Sequence, residues 1–291
     1  MRAHARLSLV AIAALLIAAP AGRPLVAQEI EWTEGPTVGR LGDVAQIQVP
    51  AGYQFSGASG AQRFLELTEN VPSGRELGIL IPDVEDDTQF WFVIFEFDES
   101  GYVKDEDRDE LDADELLATL QRGNDAANEI RRERGWTTLR IVGWDKPPFY
   151  DERTNNLTWA IRGAVDEGAD AGESVNYSTR ILGRYGTMNV DLVLDPTLLD
   201  AVVPEFEALM ADFEYLPGSR YAEWVEGDPV AAYGLAALVA GGAGALALKS
   251  GLLQKFGKAI IVGVVAIVTA IGKFFKSMFA RKDEQPAPQP Q

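Results

Sequence analysis

The sequence predicts an α+β fold: a mostly antiparallel sheet with flanking helices, then a C-terminal transmembrane helix and a second membrane-associated helix. Three observations predict it. Short strand-like runs rich in β-branched and aromatic residues are clustered rather than alternating strictly with helices, which favours hairpins over βαβ crossovers. Two helical stretches carry explicit start signals. The charge is also partitioned, with 16 Lys and Arg against 42 Asp and Glu over residues 28–229, but 7 against 2 over residues 230–291. Such a division suits an acidic aqueous domain joined to an apolar, basic end.

The first element is a leader over residues 1–27, with a basic start (Arg2, His4, Arg6), an apolar stretch from Leu7 to Ala19 and small residues offering cleavage after Ala21 or Ala27. The acidic domain is expected over 28–229. Within it, Ala45–Val49 and Leu77–Ile81 read as strands, with a short helix over Gly60–Thr68 between them. Phe90–Phe97 is apolar on both alternating faces until Glu96, so a central strand covered on both sides is expected there. Asp112 and Glu115 form a capping box opening a helix whose Leu116, Leu120, Ala127 and Ile130 share one face. Arg131, Arg132 and Arg134 suit the negative end of its dipole, and Gly135 ends it.

Strands follow at Thr138–Gly143 and Leu157–Val165, and a hairpin runs from Val175 to Leu194 with its turn near residues 183–186. In its second arm Met188, Val190, Leu192 and Leu194 alternate with Asn189, Asp191 and Val193, the pattern of a half-buried strand. Asp195-Pro196 caps the next helical stretch. Pro204 lacks an N–H and is expected to interrupt it, leaving a turn and then a helix over Pro204–Phe213.

Residues 230–248 carry no charge and would reach roughly 28 Å as a helix, close to the hydrocarbon thickness of a bilayer. Ala237, Gly241 and Ala245 would then form a stripe of small residues for helix packing and self-association. The basic loop 249–258 is placed in the cytoplasm by its Lys249, Lys255 and Lys258, which puts the acidic domain on the far side. Residues 259–280 form a second apolar helix that either crosses back or lies in the interface. The Pro- and Gln-rich tail, residues 281–291, is expected to be disordered.

Composition excludes several chemistries. There is no cysteine, and the one histidine, His4, sits in the expected leader. A mature chain without either residue type has no Ser-His-Asp triad, no thiolate nucleophile and none of the ordinary zinc, haem or iron–sulfur ligands. No phosphate-binding glycine fingerprint occurs, so no cofactor is expected. The acidic balance disfavours nucleic acid as a partner.

Three features remain as candidate sites. Asp105, Asp107 and Asp109 have the spacing of a calcium loop, but Glu110 and Leu116 stand where that loop needs glycine and a bidentate glutamate. An acidic lead-in to a helix explains them more simply. Trp144, Tyr150 and Asp151 lie in the Pro-stiffened stretch Gly143–Asp151, which reads either as a rigid recognition loop or as aromatic packing at a sheet edge. Arg180 and Arg184 flank the hairpin turn and are expected to neutralise nearby carboxylates.

Five stretches in order, GYVKDED at Gly101–Asp107, GW and PPFYD within Gly143–Asp151, LTWA at Leu157–Ala160, NYSTRILGRYG at Asn176–Gly186, and RYAEW with AAYGLAALVAGG from Arg220 onward, give the chain its family likeness. Together they resemble the domain of unknown function 2167 family, which comprises uncharacterised bacterial membrane-anchored proteins. The resemblance implies a bacterial envelope location and a C-terminal anchor. It implies no activity and no catalytic residue. With the common catalytic residue types missing, the expectation is a non-enzymatic binding or scaffolding module in the cytoplasmic (inner) membrane, facing the periplasm or cell exterior, with the lipid bilayer and an envelope protein as partners. Its rivals are a carboxylate-dependent hydrolase of envelope glycan and a module responsive to divalent cations.

Overall fold

The computed structural model describes residues 30–68, 70, 72–133, 137–165 and 172–241. The expected leader, the basic loop 249–258, the second apolar helix 259–280 and the tail lie outside the described residues. In chain order the elements are β1 (Thr33–Glu34), β2 (Thr37–Leu41), β3 (Ala45–Val49), β4 (Tyr53–Gly57), α1 (Ala58–Leu67), β5 (Glu76–Pro82), β6 (Phe92–Asp98) and α2 (Ala113–Glu133). There follow β7 (Leu139–Asp151), β8 (Asn156–Val165), β9 (Glu173–Leu182), β10 (Thr187–Leu194), α3 (Leu199–Met210), β11 (Phe213–Tyr215) and α4 (Leu235–Val239).

Eight strands form one sheet in the order β1-β4-β5-β6-β10-β9-β8-β7, and β11-β3-β2 form a second. Every strand pairing within the two sheets is antiparallel, as the clustered strand pattern requires. β6 is central and covered on both sides, as its unbroken apolar run demands. Val93 and Phe95 point into one core, while Phe92 and Ile94 point into another.

The first core lies between the large sheet and the smaller one, where Leu41, Ile47, Val49 and Tyr215 meet Val190, Leu192 and Leu194, and where Val202, Phe206 and Leu209 of α3 close the gap. The opposite face of the large sheet carries two separate cores. Phe64 and Leu65 of α1 pack on Ile79, Ile81, Phe92 and Ile94 at the β5–β6 end. Leu116 and Leu120 of α2 pack on Leu139, Ile141, Leu157, Trp159 and Ile161 at the β7–β8 end. Cross-strand register places Phe92, Val193, Asn176 and Ile161 in one row, so α1 and α2 lie on the same side of the sheet.

α2 is fixed at both ends by side chains that recognise backbone. Asp112 accepts from the N–H groups of Asp114 and Glu115 at 3.0 Å each, as its cap position predicts. Near the other end Asn124 and Asn128 both donate to the Leu139 carbonyl, at 2.7 and 2.6 Å, and Asn128 accepts from the Leu139 N–H at 3.0 Å. These buried amides set the helix against the first residue of β7.

Three expectations are corrected. Pro204 does not break the helix, because α3 runs unbroken from Leu199 to Met210 with Pro204 inside it. Both Pro204 and Asp200, whose carbonyl loses its intrahelical partner, are exposed, so water can serve the free acceptor. The stretch Gly143–Asp151 is not a loop. It belongs to β7, which pairs with β8 throughout and absorbs its prolines through register shifts between Ile141 and Phe149.

The third correction concerns the C-terminal apolar run. The described part, 230–241, is not the start of a continuous spanning helix. Val230 forms a bridge with Tyr102, α4 has five residues, and Gly241 takes φ +102° beyond its end. Leu235, Leu238 and Val239 are consumed as packing against the α2 core. Ala237 and Gly241 therefore do not share a helix face, and Ala245 lies outside the described residues. No helix among the described residues is long and apolar enough to cross a membrane.

Candidate functional site

The stretches that carry the family likeness converge on one place, the segment from Ser219 to Val239 and the sheet end beneath it. Arg184, at the β9–β10 turn, donates its backbone N–H to the Ser219 carbonyl at 2.9 Å, and Gly183 bridges to Arg220. On the other side the Tyr102 N–H donates to the Pro229 carbonyl at 2.8 Å, and the Ala231 N–H donates back to the Tyr102 carbonyl at 2.9 Å. The segment thus runs as an extra chain held between the β9–β10 turn and the stretch after β6. Gly101 adopts φ +92°, and a Cβ there would sit 2.9 Å from the Pro229 carbonyl oxygen, so this close backbone approach requires glycine.

Side chains lock the same contact. Arg184 grips Asp228 through two parallel bonds, Nε to Oδ2 at 2.7 Å and Nη2 to Oδ1 at 3.1 Å. The Arg184 guanidinium, followed by the Val225 N–H, holds the Asp228 carboxyl below the usual range. Tyr102 stacks on Tyr221 with ring centroids 4.4 Å apart and planes 11° from parallel, and Trp224 lies 5.0 Å away on the same ring. The Tyr221 hydroxyl donates to the Val103 carbonyl at 2.9 Å.

Asp107 supplies the last fastening. Its carboxylate accepts from the N–H groups of Leu235 and Ala236, at 3.0 and 3.2 Å, and so caps α4 from 128 residues away. A Cβ on Gly234 would lie 2.5 Å from an Asp107 oxygen, so the cap can close only over glycine.

Each residue singled out in the sequence has a definite place. Asp105 accepts from the Tyr150 hydroxyl at 3.1 Å, Asp107 caps α4, and Asp109 is exposed in a short turn. The three do not converge, and among the described residues no group of three acidic side chains is placed to hold a metal ion. Tyr150 is buried, and burial followed by the Asp105 charge pushes its hydroxyl pKa up. Trp144 is half-buried and donates its indole N–H to the Ala113 carbonyl at 3.0 Å. Asp151 pairs with Arg153. The exposed aromatic of that stretch is Phe149, at 59%. Arg180 and Arg184 do neutralise carboxylates, Asp191 and Asp228 respectively.

Sequence reading missed Tyr102, Asp107 in its capping role, Tyr221 and Asp228 as one constellation. The signal available was the matching run of aromatic and acidic residues in GYVKDED and RYAEW. It had no local periodicity to show that the two stretches meet.

A family model described as "Protein of unknown function (DUF2167)" matches residues 33–272. No curated protein matches the chain. Among solved structures, the solution structure of cyanobacterial PsbP (CyanoP) from Synechocystis sp. PCC 6803 is similar at 12% identity and a TM-score of 0.36, covering 68% of this chain and 95% of that one. The Saccharomyces cerevisiae Ran-binding protein Mog1p is similar at 14% identity and a TM-score of 0.34, covering 67% of this chain and 98% of that one.

Proposed function

The chain belongs to the DUF2167 family of proteins of unknown function, and from that premise we propose that it is a membrane-tethered envelope module that binds or scaffolds a partner. In this reading residues 1–27 direct export, the apolar residues beyond Gly241 form the tether, and the acidic domain faces the periplasm or cell exterior. The leader-like pattern of residues 1–27 and the apolar stretch 259–280 support that arrangement.

One observation carries the reading. The segment leading into the apolar end is no free linker, because Arg184 and Asp107 bond to it and its Leu235, Leu238 and Val239 share an apolar core with Tyr150, Leu157 and Trp159 of the other motif stretches. In this reading the packed segment gives a binding module a firm base from which its tether departs.

The test is fractionation of cells producing the full chain, followed by gentle cross-linking and recovery. The full chain is expected in the membrane fraction with its domain cut by protease added from the periplasmic side. A partner recovered both with the full chain and with a chain ending at Gly241 supports recognition by the domain. A full chain that stays soluble in the cytoplasm overturns the proposal.

A further inference from the structure

Between the α1 core and the α2 core the same sheet face carries a strip of polar residues on its two middle strands. Register sets Glu96 beside Asn189 and Asn189 beside Arg180, with Ile94, Asp191, Ser178 and Trp159 in the next row. With strands about 4.8 Å apart, β5 and β7 are roughly 24 Å apart, so helices about 10 Å wide above them leave a valley floored by this strip, entered at its Asp98 end by Tyr233, whose hydroxyl donates to Asp98 at 3.4 Å. Packing alone would fill the middle of a sheet face with apolar residues, and placing charge there costs desolvation.

The strip holds more negative than positive charge. Arg75 pairs with Glu96 at 3.4 Å and Asp98 at 3.5 Å, and Arg180 pairs with Asp191 at 3.0 Å while lying 4.7 Å over the Trp159 ring. Two guanidinium groups thus face three carboxylates, with Glu76 buried close by. The side chains of Glu96, Asp98 and Asp191 keep 20%, 19% and 20% of their surface exposed, so the floor is reachable. Hydrogen-bonding capacity is also left over. Thr187 is 0% exposed and its hydroxyl has no partner among the described residues, although it lies in line with Asn189 on the same face. No bond to protein engages the Asn189 amide among the described residues.

We infer that this strip binds a primary ammonium group, delivered by a free polyamine or by a lysine side chain of a partner, with Glu96 and Asp191 as its carboxylate acceptors. An ammonium has three donors and no acceptor, and Glu96, Asp191 and the Asn189 carbonyl oxygen give it three acceptors on adjacent positions. An anion meets the reverse balance and an acidic domain around it. A metal ion lacks a cage, since no three acidic groups are placed for one among the described residues.

The carboxyl of Glu96 is pushed up to about 7 by burial and by the Asp191 charge, with Glu76 adding to the rise while Arg75 and Arg180 oppose it. A bound cation favours its ionised form, so binding releases a proton and weakens in acid. Calorimetric titration of the full chain in detergent tests this, with spermidine and an acetyl-Gly-Lys-Gly-amide peptide as probes. Binding is expected at pH 8, about tenfold weaker at pH 6, at least tenfold weaker in Glu96→Gln, weaker in Asn189→Ala, and unchanged in Glu85→Gln, an exposed acid elsewhere. Binding of spermidine points to a free polyamine, and binding of the peptide alone points to a partner's lysine. Absence of binding by both probes overturns the inference. Equal weakening by Glu96→Gln and Glu85→Gln also overturns it, because that result reports only diffuse attraction to an acidic surface.

Discussion

Glu96 stands where β6 leaves the two cores, opposite Asn189 and beside Arg75. Its folded-state carboxyl near 7 lies above the ordinary 4.5, so the folded protein keeps a proton that the unfolded chain releases. Its contribution to stability is therefore full below pH 4.5 and is lost as the pH rises through 7, a difference of roughly 3 kcal/mol. Urea unfolding of Glu96→Gln and the parent protein should show the variant gaining relative stability between pH 5 and pH 8; parallel curves would contradict the assignment. Asp107 works through geometry instead. Asp107→Ala leaves two N–H groups of α4 without their acceptor, and a loss of about 1–2 kcal/mol is expected in the same measurement. Neither role was legible in the sequence. The alternation that put Asn189 and Asp191 opposite Met188 and Val190 was correct, but periodicity names a face without saying what lies on either side of it. A cap acting across 128 residues leaves no local trace at all.

Among the elements, those with local signals were the ones that could be read. The apolar run of β6, the Asp112 cap of α2 and the alternation of β10 each have a cause within a few residues. α3 did not follow its proline, because an exposed helix face lets water replace one backbone bond. Pro204→Ala restores the missing N–H and a better helix former, so thermal unfolding should show stabilisation of about 1–2 kcal/mol. A loss of stability there would mean that the proline ring makes a contact the helix needs. The short strands β2, β4 and β11 escaped notice for a different reason. Each is three to five residues long, and their pairing across the chain, not their composition, makes them strands. The first half of β7 was read as a strand over Thr138–Gly143, and its second half escaped through its two prolines, which its position at the edge of the sheet tolerates.

Over the whole molecule, the α+β class and the antiparallel sheet followed from strand clustering, and the second sheet and the docked C-terminal segment did not. The Ala- and Gly-rich run after Pro229 has the hydropathy of a membrane helix, and its first part is spent on the domain's own core. Leu235, Leu238 and Val239 are 0%, 5% and 2% exposed, and their burial contributes on the order of 5 kcal/mol. The central claim is that this segment is part of the folded domain and holds it to whatever follows. The most direct test is to melt the domain ending at Gly241 beside the same domain ending at Pro229. The account predicts a midpoint lower by on the order of 10 °C in the shorter chain. Equal midpoints would show that the segment is a free linker, and the account of a rigidly docked tether would be wrong.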